Sequence, residues 1–545
     1  MRHLIWLIVT GLLTLAICLL LLEGKLPLGI RGEWVWGRID TPVFWIGVVS
    51  LCGGYVAAVA LSARWLADRS RFRTAFFVIA LIPAGFAVQM NLQQLGYGLG
   101  KWPFVLYNFS SSGYYTTATG IRSASEFLEN YPEFQASHGP FHLGTHPPGL
   151  VLMHYGALRL CESNLELTDW LLRYEPQAVR EGFRDVAVRT VVPGPHQASI
   201  WLVALVSQLA SALTIVPIYV LARRGSGPQA SFLAAGLWPL VPAVTLLMPK
   251  SDVLYSLPAA VCVALMLNGR HAGTRIACSV VAGLVLWLGM FLTFGLVAVV
   301  PLVGLAVVVG EGSLNRSGIS ACVSRFGCLA AGFLVPTAIF ASATGQNLLA
   351  TWFACYKKHA TFYEVMPRSY WPWIGFNAAE FAVAVGLPMA LAACVGTIQI
   401  LRSRRAVVDV EQVSESSSSL AVHDARRTMA LTAAWWVTVL ALDLSGKNLG
   451  EVARLWIFLM PFALPATATA VDRSARPVST GIVLLSLQAL QAIVFAASVQ
   501  TFIDPQSVKI SVGHELKREL SFELMSLEII PAGPVSCGLR SPGPG

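Results

Sequence analysis

Charge is what this sequence has least of. Acidic and basic side chains make up 12% of 545 residues, about half the share a soluble domain carries, and a water-soluble globular fold is thereby excluded. Segments of about ten residues with alternating polarity are missing too, which removes a transmembrane β-barrel. The ten cysteines show no CxxC spacing and fall mainly inside apolar runs (Cys18, Cys52, Cys262, Cys278, Cys322, Cys328, Cys394). Neither a zinc signature nor a disulfide framework is present. A P-loop, a dinucleotide fingerprint and an internal repeat are likewise absent.

What is there is apolar: 55% of the residues are hydrophobic, gathered in runs of about 17 to 25, the length a helix needs to cross a hydrocarbon core of roughly 30 Å. The expected fold is all-α, a polytopic membrane protein with about thirteen transmembrane helices. They lie near 4–22, 43–62, 75–92, 197–221, 229–248, 253–268, 276–291, 294–309, 326–343, 373–400, 428–444, 454–471 and 479–502. The first run follows Arg2 and His3, is longer than a signal-peptide core and lacks a small-residue cleavage site, so it reads as a retained anchor.

The net charge of +9 does not point to nucleic acid, because the basic residues form short clusters between apolar runs. Those at Arg64/Arg69/Arg71/Arg73, Arg223/Arg224, Arg270/Arg275, Arg316/Arg325, Arg402/Arg404/Arg405/Arg426/Arg427 and Arg473/Arg476 alternate as cytoplasmic connections. This puts the amino terminus in the cytoplasm and the carboxyl terminus outside a cytoplasmic (plasma) membrane. The apolar stretch from Pro147 to Leu160 is too short to cross. With Tyr114 to Tyr131 it reads as interfacial helix within one large external loop, 93–196. The other external segments are 23–42, 249–252, a turn near Thr293, 344–372, 445–453 and a tail from 503. The polar stretch 406–425 reads as a linker.

Side chains capable of chemistry gather in those external segments. In the motif THPPG, Thr145 is expected to cap a helix whose first turn holds Pro147 and Pro148. His146 would then sit at the positive end of the helix dipole, a place suited to an anion; equally, the motif can serve only to start a helix. In LDLSGKNLGEVARLWIFLMP, Leu442 to Pro461, the residues Asp443, Lys447, Glu451 and Arg454 crowd the boundary between two apolar helices, where charge is costly and is paired or functional. Glu451 and Arg454 at i and i+3 can pair with each other, or Lys447 and Arg454 can hold a phosphate. Between Asn347 and Trp373 stand Lys357, Lys358, His359, Arg368 and the aromatics Tyr370, Trp371 and Trp373, which suit an interfacial belt or a sugar-stacking surface.

Three motifs carry a resemblance. Tyr114–Tyr115 followed by an amphipathic helix and then THPPG opening an apolar helix is similar to the first external loop of the GT-C superfamily of membrane glycosyltransferases, which includes protein mannosyltransferases and lipid A aminoarabinose transferases. MPKSDVLYSLPA, Met248 to Ala259, resembles the family's short second external loop with an acidic residue ahead of a helix, here Asp252. GLVLWLGMFLTFG, ending at Gly295, resembles a family helix that turns near a Thr-Phe pair. The matches cover roughly residues 75–310 with the loop 93–196, leaving two extra amino-terminal spans in 1–74, divergent spans in 311–502 and the tail 503–545.

The resemblance implies a hexosyl- or pentosyltransferase of the cell envelope with a large first catalytic loop bearing interfacial helices. It would move a sugar from a polyprenyl-phosphate donor to an extracytoplasmic lipid, glycan or protein acceptor. No nucleotide or nucleic acid is needed, no metal ligands are named, and a divalent metal is left open. One departure matters: Ser110, Ser111 and Ser112 stand where family members have an aspartate just before the Tyr-Tyr position. The expected catalytic residues are therefore Asp252 and His146, with Glu126, Glu129, Glu133, Glu33 and Asp40 as substitutes for the carboxylate; for Asp252 a helix cap is the plain alternative. Tyr114, Tyr115, Lys447, Glu451 and Arg454 are expected to bind substrate. A transporter or flippase of lipid-linked substrates, or a relative without catalysis, would use the same charges differently.

Overall fold

A computed structural model describes residues 2–66, 70–107, 111–186, 192–269, 271–311, 315–411 and 419–501, with the side chains of 404–422 left out. Arg69, Ser110, Arg270, the middle of the expected linker and the tail from 503 lie outside the described residues, as do the side chains of Arg404 and Arg405. Residues Met1–Thr501 pack as one compact unit.

The chain is an all-α integral membrane protein. Among the described residues nine helices are long and apolar enough to cross a bilayer: Leu4–Leu22, Ile46–Trp65, Arg71–Leu92, Gly194–Ala222, Pro228–Leu247, Ala272–Leu292, Phe294–Glu311, Gly318–Thr344 and Pro477–Ser498. Large apolar side chains point outward from several of them, such as Leu12, Phe72, Ile79 and Val323, an arrangement stable only against lipid or another apolar surface. Two-residue strands, Gly29–Ile30 with Trp34–Val35 and Gly37–Arg38 with Val499–Gln500, are the only β-structure among the described residues.

Four expected segments differ in form. The stretch 373–400 is not one rod but two helices, Tyr370–Val385 and Leu387–Ser403, bent by 105° at Gly386, whose φ of +98° is open to glycine. The helices Leu387–Glu411 and Ser419–Leu444 run into both ends of the stretch 406–425 expected as a linker. Finally, the segments at 253–268 and 454–471 are the short helices Ser251–Met266 and Ile457–Asp472. Both are almost wholly enclosed by the rest of the bundle, so neither needs the length of a lipid-facing span.

Side-chain ties sort the connections into two ends. At one end Gln229 donates to Ala63 O (3.0 Å), Gly227 N donates to Asp472 (3.1 Å) and Arg473 donates to Gln399 O (2.7 Å). Arg325 and Arg427 flank Glu311 at 3.2 and 3.9 Å there, so the arginine-bearing connections meet. At the other end Trp352 Nε1 donates to Met290 O (2.9 Å) and Lys358 Nζ to Ala136 O (3.0 Å), while Glu33 accepts from Ser369 N (2.8 Å) and Trp373 Nε1 (2.6 Å). Helix Gly149–Ser163 reaches this end as well. A Cβ on Gly149 would lie 2.1 Å from Phe291 O, so the glycine of THPPG is what lets the loop helix dock on the end of Ala272–Leu292.

Candidate functional site

The site is built where the two enclosed helices begin. Each opens with a 3₁₀ turn, Ser251–Tyr255 and Ile457–Ala463, and the two lie side by side, Ser256 Oγ donating to Ile457 O at 3.3 Å. Asp252 is therefore held in the first turn of one enclosed helix, and Arg454, in the short helix Val452–Leu455, just ahead of the other. Unfilled backbone N–H groups at such starts favour negative charge between them.

Asp252 is half-buried and makes no hydrogen bond among the described residues; the turn is not capped by a side chain. Its charge acts on Tyr114, His146, Lys250 and Arg454, which places the three remote stretches within electrostatic reach of one another. Lys250 has its ammonium pushed down to about 8 by burial and by Arg454, against the pull of Asp252 and Glu451.

Arg454 is anchored from below by Glu451, Nη2 to Oε2 at 2.9 Å, and the other carboxylate oxygen of Glu451 takes Arg368 Nη2 at 2.7 Å. The mutual pair read from the i, i+3 spacing is present, with Arg368 as a third member. Burial pushes the Glu451 carboxyl up, but Arg454 and Arg368 more than offset this and hold it below the ordinary value. Glu451 has φ +59°, a left-handed conformation unusual for a residue with a Cβ. The strain is held by its surroundings: Gly450 N donates to Asn377 Oδ1 (2.9 Å), and Asn377 Nδ2 donates to Asp443 Oδ1 (2.9 Å) and Asn448 O (2.8 Å). Arg454 Nε has no hydrogen-bond partner among the described residues.

The loop 111–146 supplies an aromatic wall. Tyr114, 4% exposed, meets the rings of His146 and His142 edge-on at 5.7 and 6.3 Å. His146 Nδ1 lies 3.0 Å from His142 O, and Tyr131 Oη donates to His146 O at 2.6 Å. An Nδ1–H bond to that carbonyl leaves Nε2 as an acceptor. Burial lowers His146 to about 4 against the pull of Asp252 and also holds His142 well below the ordinary value, so both imidazoles are neutral at pH 7. Thr145 does not cap the following helix as expected: its hydroxyl donates back to Phe141 O at 2.9 Å, within the short helix His142–Thr145. His146 ends that short helix instead of opening the next.

Other expected residues lie apart. Tyr115 points away from Tyr114, its Oη 2.7 Å from His196 Nδ1, because neighbours on a helix are about 100° apart. Lys447 is exposed on the rim, its ammonium 5.5 Å from the Tyr356 ring, while its carbonyl accepts from His359 Nε2 at 3.0 Å. Glu126, Glu129, Glu133 and Asp40 are exposed. Glu33 is engaged by Ser369 and Trp373, bonds that hold its carboxyl below the ordinary value. Sequence reasoning passed over Lys250, His142 and Glu380, the last of which accepts from Ala453 N at 3.1 Å beside Arg454 in the chain. Lys250 and Glu380 were signalled, since each is an ionisable residue next to or inside an apolar run; nothing in the sequence marks His142. Among the described residues no group of three or more His, Cys, Asp or Glu side chains is arranged to hold a metal ion.

No family model matches the chain. No curated protein matches it either. Among solved structures it is similar to the oligosaccharyltransferase of Archaeoglobus fulgidus in its apo form, with TM-score 0.44 and 10% identity over 86% of this chain and 62% of that one. The oligosaccharyltransferase AglB of the same organism, in complex with an inhibitory peptide and a dolichol-phosphate, gives 0.42 and 14% over 87% and 62%. A third structure, with Zn and sulfate, gives 0.43 and 12% over 81% and 56%. The chain thus spans about three-fifths of the length of these neighbours, and a likeness of this degree carries no argument about substrate or mechanism.

Proposed function

We propose that the protein is a membrane glycosyltransferase of the GT-C kind, transferring a sugar from a polyprenyl-phosphate donor to an acceptor hydroxyl or amine at the Asp252 end of the bundle, the extracytoplasmic face. The observation that carries this reading is an unbonded carboxylate, Asp252, within electrostatic reach of the cations Lys250 and Arg454 at the start of two enclosed helices. Asp252 takes the acceptor proton as the new bond to the sugar's anomeric carbon forms; the bond from that carbon to the phosphate oxygen breaks, and Arg454 and Lys250 hold the departing phosphate. Glu451 and Arg368 position Arg454. Tyr114 and the neutral His146 bound the sugar's place, His146 offering Nε2 as an acceptor.

The test is transfer from a short-chain polyprenyl-phosphate sugar by purified protein. Asp252→Asn and Arg454→Ala should each abolish most transfer while the protein still elutes and melts as a folded species; full activity in both variants overturns the assignment. A second reading, translocation of a lipid-linked substrate, is favoured by the break at Gly386, since discontinuous helices line many transport paths. Substrate crossing sealed vesicles without any new glycosidic bond would establish it in place of the first.

A further inference from the structure

At the end of the bundle opposite Asp252, helices Ala272–Leu292 and Gly318–Thr344 form a groove that sugar transfer does not use. The two run in parallel and touch most closely at Gly283 and Gly332, where an added Cβ would lie 2.1 Å from Leu329 O and 2.0 Å from Val280 O. Eight residues nearer their starts, about 12 Å along the axes, a cavity of about 300 Å³ lies between them, lined by Arg275, Ser320, Ser324 and Arg325 among small and apolar residues.

The lining is cationic and incompletely satisfied. Arg325 is 3% exposed; its Nη1 is engaged by Met266 O and Asn268 O and its Nε faces Glu311 at 3.2 Å, but Nη2 has no hydrogen-bond partner among the described residues. Arg275 makes no ion pair among them. With Arg427 on the far side of Glu311, two arginines share one carboxylate while Arg275 beside them has none, and a buried guanidinium N–H left open calls for an anion. Beside the groove the same helices expose Ile276, Ile319 and Val323 at 47, 50 and 66%, an apolar surface that continues from the polar pocket.

We propose that this groove binds the phosphate of an anionic phospholipid, the headgroup between Arg275 and Arg325 with hydroxyl contacts from Ser320 and Ser324, and the acyl chains along the exposed apolar faces. Arginine grips two phosphate oxygens at once, and basic pockets between transmembrane helices suit such headgroups. The apolar continuation is what selects a lipid over a free anion.

The experiment is native mass spectrometry of the full chain, delipidated in detergent and titrated with phosphatidylglycerol, phosphatidylcholine or inorganic phosphate. Phosphatidylglycerol should bind about five- to tenfold more tightly than phosphatidylcholine, phosphate should not displace it at equal concentration, and both Arg275→Ala and the groove-filling Ser324→Trp should erase the preference. Equal affinity for the two lipids, retention of the preference in Arg275→Ala, or displacement by phosphate overturns the proposal. Each readout is lipid binding alone, so the result stands apart from whether Asp252 catalyses sugar transfer.

Discussion

Residues 250–256 and residues 445–456 meet through Ser256 and Ile457, yet they are wired in opposite ways. In the second stretch most buried polar groups are engaged, Arg454 Nε excepted. Trp456 Nε1 donates to Asn448 Oδ1 at 3.1 Å, Asn377 bridges Asp443 to Gly450, and Arg368 and Arg454 saturate Glu451. In the first, Asp252 has no hydrogen bond and Lys250 no ion pair among the described residues. Two carboxylates of one cluster thus differ: Glu451 fixes two guanidinium groups in place, and Asp252 is left without a bond. The proposed transfer uses both, fixed charge from the first and proton acceptance by the second.

That contrast can be broken by experiment. Asp252→Asn should lower transfer by about 10²- to 10⁴-fold with an unchanged melting temperature in detergent, whereas a wired carboxylate would show the reverse. Arg454→Ala should reduce transfer by about 10²- to 10³-fold, read as a fall in the turnover number at saturating donor. Glu451→Gln should act first on stability, by about 3–5 kcal/mol, because it strands buried guanidinium groups. The same carboxyl, held below its unfolded value, contributes stability that is fully present above the ordinary carboxylate range and lost as pH falls below that range through the lower folded value. Thermal unfolding across acid pH separates Glu451→Gln from the parent protein.

Lys250 sharpens the comparison from the other side. With its ammonium lowered to about 8, transfer that needs this charge should fall about tenfold between pH 7 and pH 9, and Lys250→Arg should flatten the profile. A profile unchanged by Lys250→Arg would remove Lys250 from the site. The smallest effect is expected at Tyr115, whose hydroxyl bonds His196 outside the cluster. Tyr115→Phe should cost about 1 kcal/mol of stability and leave transfer within twofold, while Tyr114→Ala would not be so mild.

Much of this was legible in the chain. Low charge and long apolar runs imposed a helical membrane fold, because an unpaired backbone cannot lie in hydrocarbon. The arginine-rich connections marked a common end, and the structure gathers Arg325, Arg427 and Arg473 there with their partners. Asp252, Arg454, Glu451 and Tyr114 were also readable, since ionisable and aromatic residues at helix ends stand out against an apolar background. Other features were not. Tyr114 and Tyr115 are equivalent in the sequence, and only the rotation of one short helix turns the first toward Asp252 and the second toward His196. Thr145 has the residue type of a cap and is drawn into the preceding turn instead.

The sequence by itself determined the solvent: its apolar runs leave no state but helices in a bilayer, and its few charges gather mainly near helix ends. Which charges meet was decided by the tertiary structure alone. Asp252 and Arg454 are separated by some 200 residues (252 to 454) and become neighbours because two short helices, too short to face lipid, are enclosed side by side. No local pattern encodes that contact. It arises from packing the surrounding helices around the pair, which brings their starts to one level and leaves one carboxylate without a partner.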